Sequence, residues 1–414
     1  MSESAASEGS GSSVGRRVAY WRVRRGMTQQ MLGDRVGRSK SWVEKVERGV
    51  RRLDRVSVLH EIARVLEIPV EQLLAPAAPE QAADQGEVED IRAALARYTW
   101  SEDPDDADAV PADLGELRGA VDHAWLSFQH GGYDTLTRSL PQLLRRAQHA
   151  DTHHRHDDDH AARAAHLLAQ SYQIASSTLR KTGQPELAWF AADRARAVAV
   201  RAGDPLLAGT ADSRAGNALL TLGRPRPALE TQLVAVNRLA PGDARTATGQ
   251  QLSVYGSLLL QAAMAAAHLA DDAGVRDLIG EAARVVRDLH PAANHYWTSF
   301  NATNLSLHRI AADVELGEHR RAADAHDRLD GHAFRGLAPE RRAQHLLDVA
   351  RAYCHLGRAR EAVPLLLEAE RLAPAEIRHR PAAHAVLRDL TRRIPGRIPG
   401  PVTDLARRSG IHPG

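Results

Sequence analysis

The chain of 414 residues is poor in cysteine, in aromatic residues and in long apolar segments. Cys354 is its only cysteine, and Phe, Trp and Tyr make up 4% of the residues. A single cysteine excludes an intrachain disulfide and a zinc site built from several thiolates. No run of about 18 apolar residues is present, so the sequence predicts no transmembrane helix. The Ser- and Gly-rich first 13 residues contain no apolar signal segment, and we therefore expect a cytoplasmic protein.

Lysine is almost absent as well. Lys40, Lys45 and Lys181 are the only three, so arginine carries nearly all of the positive charge. This bias indicates a GC-rich genome and favours an actinobacterial source. Alanine, leucine and arginine are abundant, which favours helices packed through small side chains over sheets. Because 414 residues exceed what one hydrophobic core supports, the sequence predicts an almost all-helical protein of two or more folding units.

Signatures of catalysis are missing too. The sequence has no Gly-rich phosphate loop or GxSxG elbow set between a strand and a helix, no HExxH pair and no paired cysteines. The Gly- and Ser-rich stretch at residues 9–15 follows no predicted strand. Acidic residues are plentiful, but most fall in one acidic stretch or on helix surfaces, where solvation explains them. We therefore predict that the protein is not an enzyme and carries no cofactor.

A histidine-rich segment, residues 149–166, raises the question of a metal site. Four of its histidines stand beside three aspartates: His153, His154, His156, His160, Asp157, Asp158 and Asp159. On a helix, His156 and His160 would be spaced to bind zinc or nickel, with Asp157 or His153 as a third ligand. So many adjacent charges favour a hydrated turn between two helices instead. We interpret the segment as such a turn and predict no metal site.

Charge is distributed unevenly along the chain. Residues 14–60 contain 13 Arg and Lys against 4 Asp and Glu, whereas residues 76–115 contain 2 against 11. A basic segment of this size is typical of nucleic-acid binding, because neutralising phosphates supplies most of the non-specific affinity. A solvated surface patch is the alternative on charge alone.

These patterns divide the chain into five parts. The short segment Val88–Tyr98 has apolar residues at helical spacing, which predicts one helix within the acidic stretch. The predicted parts are a disordered start (1–13), a compact helical unit (14–74), an acidic Pro/Ala linker (75–113), a long helical region (114–390) and a Pro/Gly-rich tail (391–414).

The long helical region is built from repeats. Turn glycines recur at spacings of roughly 40 to 47 residues, each after an Ala/Leu-rich helix and before another helix and a proline. These turns are Gly183, Gly223, Gly317 and Gly357, with a weaker one at Ala270–Gly274. Residues 357–374 resemble a tetratricopeptide-type repeat most clearly. The sequence therefore predicts an α-solenoid of tetratricopeptide-like helical hairpins over residues 114–390.

Residues 27–49 carry the strongest local motif. Thr28 is placed to cap a short helix whose Leu32 and Val36 face inward. Gly33 allows a second helix to cross close by, and Gly37 permits the positive φ of a tight turn.

The helix that follows this turn is expected to expose one polar face. Ser39 is placed to cap it, and Val43 and Val46, three residues apart, would bury it against the preceding helix. The residues then left on the outer face are Lys40, Ser41, Glu44 and Lys45. Such a face is what enters a major groove of DNA.

This stretch resembles the helix-turn-helix of the Cro and phage-repressor (XRE) family of DNA-binding regulators. The shared features are Thr28 and Gln29 at the start of one helix, Gly37 in the turn, and residues 47–49, Glu-Arg-Gly, at the end of the next. The resemblance covers residues 14–74. It implies a five-helix lambda-repressor-like DNA-binding domain and double-stranded DNA as the partner.

The family's pattern also implies roles for individual residues. Gln29 is expected to contact phosphate or a neighbouring base, and Arg22 and Glu47 to form a structural pair. The positions that the resemblance places against DNA are Arg38, Ser39, Lys40, Ser41 and Lys45.

Gly33 and Trp42 depart from the family's pattern, which has alanine and a small or β-branched residue there. Trp42 either fills the core or contacts a thymine methyl or a sugar, and we include it among the DNA-binding residues. Arg51 and Arg52 are predicted to clamp phosphates. One such unit reads a short half-site, so we expect a homodimer on an inverted repeat.

Two sets of polar residues suggest what the solenoid binds. They lie at helical spacing on otherwise apolar helices: Arg214 and Asn217 in one, and Asn301, Asn304 and His308 in another. An asparagine can donate to and accept from a peptide backbone at once. The domain order resembles that of peptide-pheromone-responsive regulators of Gram-positive bacteria, which implies a peptide, small-molecule or protein effector at the concave face.

Two alternatives stay open. The asparagines can equally cap turns or bond adjacent helices. The whole protein can equally be an interaction scaffold, in which the solenoid holds a partner protein and the helix-turn-helix only localises it to DNA. Over both alternatives, the sequence favours a DNA-binding transcriptional regulator whose solenoid senses an effector or mediates oligomerisation.

Overall fold

The computed structural model describes residues 14–15, 18–19, 21–22, 25, 27–48, 50–51, 53, 56–66, 79–97, 113–157, 159–243, 246–289, 294–393 and 400–411. It divides the chain into two compact units, Met1–Val88 and Glu89–Gly414. All regular structure among these residues is helical, which confirms the all-α prediction. Three predictions lie outside the described residues: the disordered start (1–13), Arg52, and a fifth N-terminal helix, for which only the stretch after Leu66 leaves room.

The first unit contains a small helical bundle. Helical backbone at residues 14–15, 18–19 and 21–22 precedes three helices, α1 (Gln29–Arg35), α2 (Lys40–Glu47) and α3 (Val56–Val65). Its core brings together Val18, Leu32, Val43 and Ile62, all 1% exposed or less. The helix α4 (Pro79–Ala96) follows and crosses the boundary between the units.

The second unit continues with helical hairpins. Its helices are α5 (Leu114–Gln129), α6 (Tyr133–His153), α7 (Ala161–Lys181), α8 (Pro185–Arg201), α9 (Pro205–Thr221), α10 (Pro225–Leu239), α11 (Gly249–His268), α12 (Asp272–Arg287), α13 (Ala302–Glu315), α14 (His319–Asp327), α15 (Gly331–Arg335), α16 (Pro339–His355), α17 (Ala359–Leu372), α18 (Pro374–Arg378), α19 (Pro381–Arg393) and α20 (Gly400–Arg408). Among the described residues, no helix is long and apolar enough to cross a membrane.

The hairpin turns are the predicted ones. Gly183, Gly223, Gly317 and Gly357 have φ between 70° and 81°, and Ala270 has φ 58°. At each turn the amide one residue beyond bonds to the carbonyl five residues before it, as in the 2.8 Å bond from Gln184 to Leu179. This bond closes the end of the first helix and requires the left-handed residue between. A sixth hairpin, α5–α6, turns at Gly131, which the repeat search missed.

The prolines that appeared to stop each repeat have a second role. Pro205, Pro339 and Pro374 lie at the first turn of α9, α16 and α18, where a missing N–H costs no hydrogen bond. Each therefore begins the next helix as well as separating it from the last one.

Two parts of the sequence-based division differ from the structure. The helix in the acidic stretch begins earlier than predicted, at Pro79. Its end at Ala96 belongs to the second unit, because Ile91 and Leu95 are fully buried and Gln148 donates to the Ala94 carbonyl. Within the predicted tail, α20 buries Val402 and Leu405. Both segments have apolar residues three or four apart, which bury one helix face whatever the composition around them.

The first helices of successive hairpins form a closed ring. Helices α5, α7, α9, α11, α13 and α16 contact one another in that order, and α16 returns to contact α5. Near the closure, the ring of Trp125 on α5 stacks on Trp297, with centroids 6.1 Å apart. The predicted concave face of the solenoid is therefore the inside of this ring.

A buried charge cluster joins the two ends of the ring. Lys181 is 1% exposed, and its Nζ lies 2.6 Å from a carboxylate oxygen of Glu340 and 2.6 Å from one of Glu376. Tyr133 Oη donates to Glu376 at 2.5 Å, and Arg380 donates to the same carboxylate at 2.7 Å. Burial opposes charge on both glutamates, but Lys181 and the neighbouring arginines together outweigh it and lower their pKa values.

Substituting Lys181 by Met removes the shared cation. We expect the free energy of unfolding to fall by about 3–5 kcal/mol, because two buried carboxylates lose their partner. Chemical denaturation followed by tryptophan fluorescence measures this. The matched control is Arg276→Met, which breaks an exposed pair with Asp272 and is expected to cost about 1 kcal/mol or less. Equal losses in the two variants would show that the cluster does not hold the ring.

The same cluster predicts a pH dependence. A carboxyl whose folded pKa is lowered stabilises the fold above its unfolded value, here 4.5, and loses that contribution as pH falls through the folded value. The stability difference between the wild type and Lys181→Met is therefore expected to narrow below pH 4.5. Denaturation curves between pH 3 and 7 test it, and a difference that stays constant contradicts the assignment.

Candidate nucleic-acid interface and central cavity

Helices α1 and α2 are capped and joined as the sequence motif predicts. Thr28 Oγ1 accepts from the Met31 amide at 3.1 Å, and Ser39 Oγ accepts from the Trp42 amide at 3.2 Å. Gly37 between them has φ 65°. These caps satisfy amides that a helix leaves unpaired at its start, so they fix where each helix begins.

One face of α2 is buried and the other is open to solvent. Val43 and Val46 are buried at 1% exposure or less. The exposed residues are Lys40, Ser41, Lys45 and Arg48, with Arg38 and Ser39 exposed just before the helix and Arg51 just after it. Glu44 is half-buried and forms a 3.1 Å pair with Arg48. The open face is therefore mainly basic and hydroxylic, which suits phosphates and base edges.

Two glycines allow the backbones to pack closely. A Cβ on Gly33 would lie 2.7 Å from the Arg38 carbonyl oxygen, which explains glycine here instead of the alanine of the XRE pattern. A Cβ on Gly15 would lie 2.0 Å from the Val46 carbonyl oxygen, closer than real Cβ contacts come. Gly15 thus lets the first helical segment cross the end of α2, a role that the sequence analysis did not recognise.

Glu47 connects three parts of the first unit. Its carboxylate accepts from Arg22 at 2.5 and 3.0 Å and from Gln29 Nε2 at 2.8 Å. Arg22 also donates to the Met27 carbonyl at 2.7 Å. The Arg22–Glu47 pair is as the family resemblance implied. Gln29 was expected to contact DNA, but one N–H of its side-chain amide donates to Glu47. Only the other N–H and the carbonyl oxygen are left for a contact with DNA.

Trp42 is half-buried and packs against the core of the first unit. Arg38 lies over its ring, 5.8 Å from the centroid. The ring therefore fills the core, which was one of the two alternatives, and its outer side positions the guanidinium of Arg38.

The second unit encloses a cavity of about 540 Å³ inside the ring of first helices. Each of the six helices contributes to its wall, for example through Trp125, Arg180, Arg214, Gln261, His308 and Arg341. A concave site of this size is typical of a small-molecule site.

Positive charge dominates the cavity wall. Six cationic side chains line it against three acidic ones: Arg180, Lys181, Arg214, Arg341, Arg351 and Arg380 against Glu315, Glu340 and Asp348. Burial and the nearby charges of Arg341 and Arg180 lower the pKa of Arg214 to about 9. Burial raises the pKa of Asp348.

A strained segment closes one side of the cavity. Tyr296, Trp297 and Ser299 have φ of 49°, 57° and 54°, which is unfavourable for residues with a side chain. The Tyr296 hydroxyl donates to Asp204 at 2.8 Å, and Gln129 donates to the Ser299 hydroxyl at 3.3 Å. Backbone strain of this kind persists where the surroundings hold it, most often at ligand sites.

A family model described as a helix-turn-helix domain matches residues 13–75. Residues 13–75 form a helix-turn-helix domain. No curated protein matches the chain. A solved structure to which it is similar is the crystal structure of Bacillus thuringiensis PlcR in complex with the peptide PapR7 and DNA. That similarity covers 67% of this chain and 95% of that one at 15% identity, with a TM-score of 0.25.

The predicted effector residues fall into two groups. Arg214, Asn217, Asn304 and His308 line the cavity. Asn301 is the N-cap of α13 and accepts from the Asn304 amide at 2.9 Å, which is the capping alternative. The three-residue spacing between Asn301 and Asn304 therefore reflects the geometry of a helix cap, and the two side chains do not form one binding surface.

The histidine-rich segment forms the turn between α6 and α7. His154, Asp157 and His160 bring one ligand atom each to within 4.8 Å of the others. This set differs from the helical pair of His156 and His160 considered from the sequence, because α6 ends at His153 and α7 begins at Ala161. His160 Nδ1 lies 2.7 Å from Asp157, so an ordinary hydrogen bond accounts for their proximity.

The sequence analysis missed most of the cavity. Arg180, Arg341 and the Trp125–Trp297 pair come from helices that are far apart in sequence and meet only through ring closure. The one available signal was a cationic pair, Arg180 and Lys181, at the end of a helix that has no Lys, Arg, Asp or Glu at residues 164–179.

Gly15→Ala tests the close helix crossing in the helix-turn-helix domain. We expect it to destabilise this domain by roughly 1–3 kcal/mol, because the new methyl group meets backbone that cannot move aside. Hydrogen exchange of the full chain, read over residues 29–48, measures the loss. Gly119→Ala is the matched control: it lies in α5 with nothing near its Cβ and should be neutral or stabilising. Unchanged protection in Gly15→Ala contradicts the crossing.

Proposed function

We propose that this protein is a transcriptional regulator that reads DNA through α2 and responds to an effector bound in the central cavity of its second unit. The observation that carries the proposal is the exposed basic face of a capped and well-packed α2 inside a helix-turn-helix domain. Such a face enters the major groove, where its first residues contact base edges.

Roles follow from the positions of the side chains. Lys40, Ser41 and Lys45 face the bases or the flanking phosphates. Arg38, held over Trp42, and Arg51, which is exposed just beyond the end of α2, suit phosphate contacts on either side of this helix. Gln29 stays a candidate for one phosphate contact through the second N–H of its side-chain amide, because the first donates to Glu47.

We infer a homodimer on an inverted repeat. One α2 covers only a short half-site, and two copies related by a two-fold axis read two half-sites about one helical turn of DNA apart. Footprinting on the region upstream of the protein's own gene supports this if it shows two protected half-sites. A single protected half-site contradicts the dimer.

Replacing Lys40 and Lys45 together by Ala is expected to weaken specific binding by roughly 10- to 100-fold and to reduce the salt slope by about 2, since two cations near phosphates are lost. Fluorescence anisotropy at several salt concentrations, against specific and random DNA, measures both quantities. The control is Arg276→Ala with Arg407→Ala, which removes the same charge from exposed sites in the second unit. Wild-type binding that does not prefer the specific DNA favours the scaffold alternative.

Asn217→Ala tests the coupling between cavity and DNA. Asn217 lines the cavity, and its side-chain amide has no protein partner among the described residues, so its removal leaves no buried group unpaired. We expect DNA affinity in vitro to be unchanged and regulation of a reporter gene in cells to become unresponsive. Asn301→Ala removes only a helix cap and should keep the response at a cost of about 1 kcal/mol in stability. If both variants respond normally, the cavity is not the sensing site.

A further inference from the structure

We propose that the cavity binds a small organic anion, with a carboxylate or phosphate group attached to a flat apolar body. This proposal rests on the proposed function and assigns the effector of that function to a chemical class. Three features of the cavity carry it: uncompensated arginines, a tryptophan platform, and a volume that matches a small molecule.

The arginines lack counter-charges. Of the three acidic residues in the wall, Glu340 is bonded to Lys181 at 2.6 Å and Glu315 is paired with Arg351. Asp348 accepts from Gln344 at 3.0 Å. Among the described residues, no carboxylate lies within ion-pair distance of Arg180 or Arg214, and Arg341 has only a 3.4 Å contact to the already engaged Glu340.

Arg214 carries the clearest unsatisfied hydrogen-bonding group among the unpaired arginines of the wall. It is half-buried, and its Nε atom is buried without a hydrogen-bond partner. A guanidinium taken out of water without a partner costs free energy, and a ligand anion that enters would offset that cost. The planar fork of arginine matches the two oxygens of a carboxylate or phosphate better than any other side chain does.

The arginines also act on one another. The positive charges of Arg341 and Arg180 both disfavour the charged form of Arg214, as does burial. The same Arg341 charge, after burial, lowers the pKa of His308 to about 4, so His308 is neutral at pH 7. Like charges therefore converge on one region of the cavity, where an anion relieves their repulsion.

The aromatic side of the cavity lies next to this region. Trp125 and Trp297 stack with an interplanar angle of 16°, and the Arg214 guanidinium lies 5.3 Å from the centroid of Trp125. Leu307 and Met264 add apolar wall. Trp125 is only 2% exposed, so a ligand whose anionic group meets Arg214 brings its attached body against the half-buried Trp297, where a flat body gains most.

The closed ring favours a small molecule over an extended peptide. The volume of about 540 Å³ falls within the range of roughly 300–1,000 Å³ common for small-molecule sites. Contacts between α16 and α5, and between Tyr133 and Glu376, close the groove along which a longer chain would extend.

Three naphthalene probes of matched shape test the assignment by isothermal titration calorimetry on the full chain. They are 1-naphthoate, 1-naphthyl phosphate and the uncharged 1-naphthamide. We expect at least one anion to bind with a 1:1 stoichiometry and about tenfold or more tighter than the amide, because only an anion pairs with the arginines. The tighter of the two anions identifies the carboxylate or the phosphate as the natural group. Naphthamide binding as tightly as both anions overturns the proposal.

Variants locate the site. Arg214→Met should weaken binding of the preferred anion by about tenfold and leave naphthamide binding nearly unchanged. Its melting temperature without ligand should equal or exceed that of the wild type, because an unpaired buried cation has been replaced by an apolar side chain of similar length. Arg276→Met, an exposed arginine outside the cavity, is the control and should bind like the wild type. Undiminished anion binding by folded Arg214→Met also overturns the assignment.

The result separates this proposal from the proposed function. DNA affinity of the same preparation, measured with and without a saturating anion, reports on regulation alone. Anion binding at the arginines with unaltered DNA affinity supports the ligand class and contradicts sensing by the cavity. DNA binding that is specific, in a protein that prefers neither anion to the amide, supports the regulator and overturns the ligand class.

Discussion

Lys181 is enclosed by protein and shared between Glu340 and Glu376, and the second unit depends on this contact because it links the start of the ring of helices to its end. Each carboxylate comes from a helix about 160 to 200 residues further along the chain. A buried ion pair contributes little net stability compared with apolar packing, but breaking it is costly, so it favours one closed arrangement over open ones. The cavity exists because the ring closes.

The cavity also uses charge in a way that packing does not require. Lys181 and Arg380 are paired with buried carboxylates, whereas Arg180 and Arg214 in the same cavity wall have no ion-pair partner among the described residues. Proteins rarely bury a cation without compensation unless function maintains it. The strained backbone at Tyr296, Trp297 and Ser299 lies beside the same cavity and fits the same interpretation.

The helix-turn-helix domain follows the opposite design. Its geometry arises from local rules: caps at Thr28 and Ser39, a glycine turn at Gly37, and apolar residues three or four apart. Glu47 then ties α2 to the residues before it, and among the described residues the only ion pair on the exposed face of α2 joins Glu44 and Arg48. A helix whose inner face is firmly packed and whose outer face is polar and exposed is suited to docking in a DNA groove.

The helical class, the helix-turn-helix and the positions of five hairpin turns could be predicted from the sequence, because caps, positive-φ glycines and apolar periodicity act over a few residues. The sequence also brought out Arg214, Asn217, Asn304 and His308, which stand at helical spacing. Long-range packing was needed to establish that Asn301 is a cap, that the end of α4 and all of α20 pack into the second unit, and that Arg180, Arg341, Trp125 and Trp297 share one cavity. Those contacts join residues up to about 240 positions apart, and no local pattern records which distant helices meet when a superhelix closes on itself.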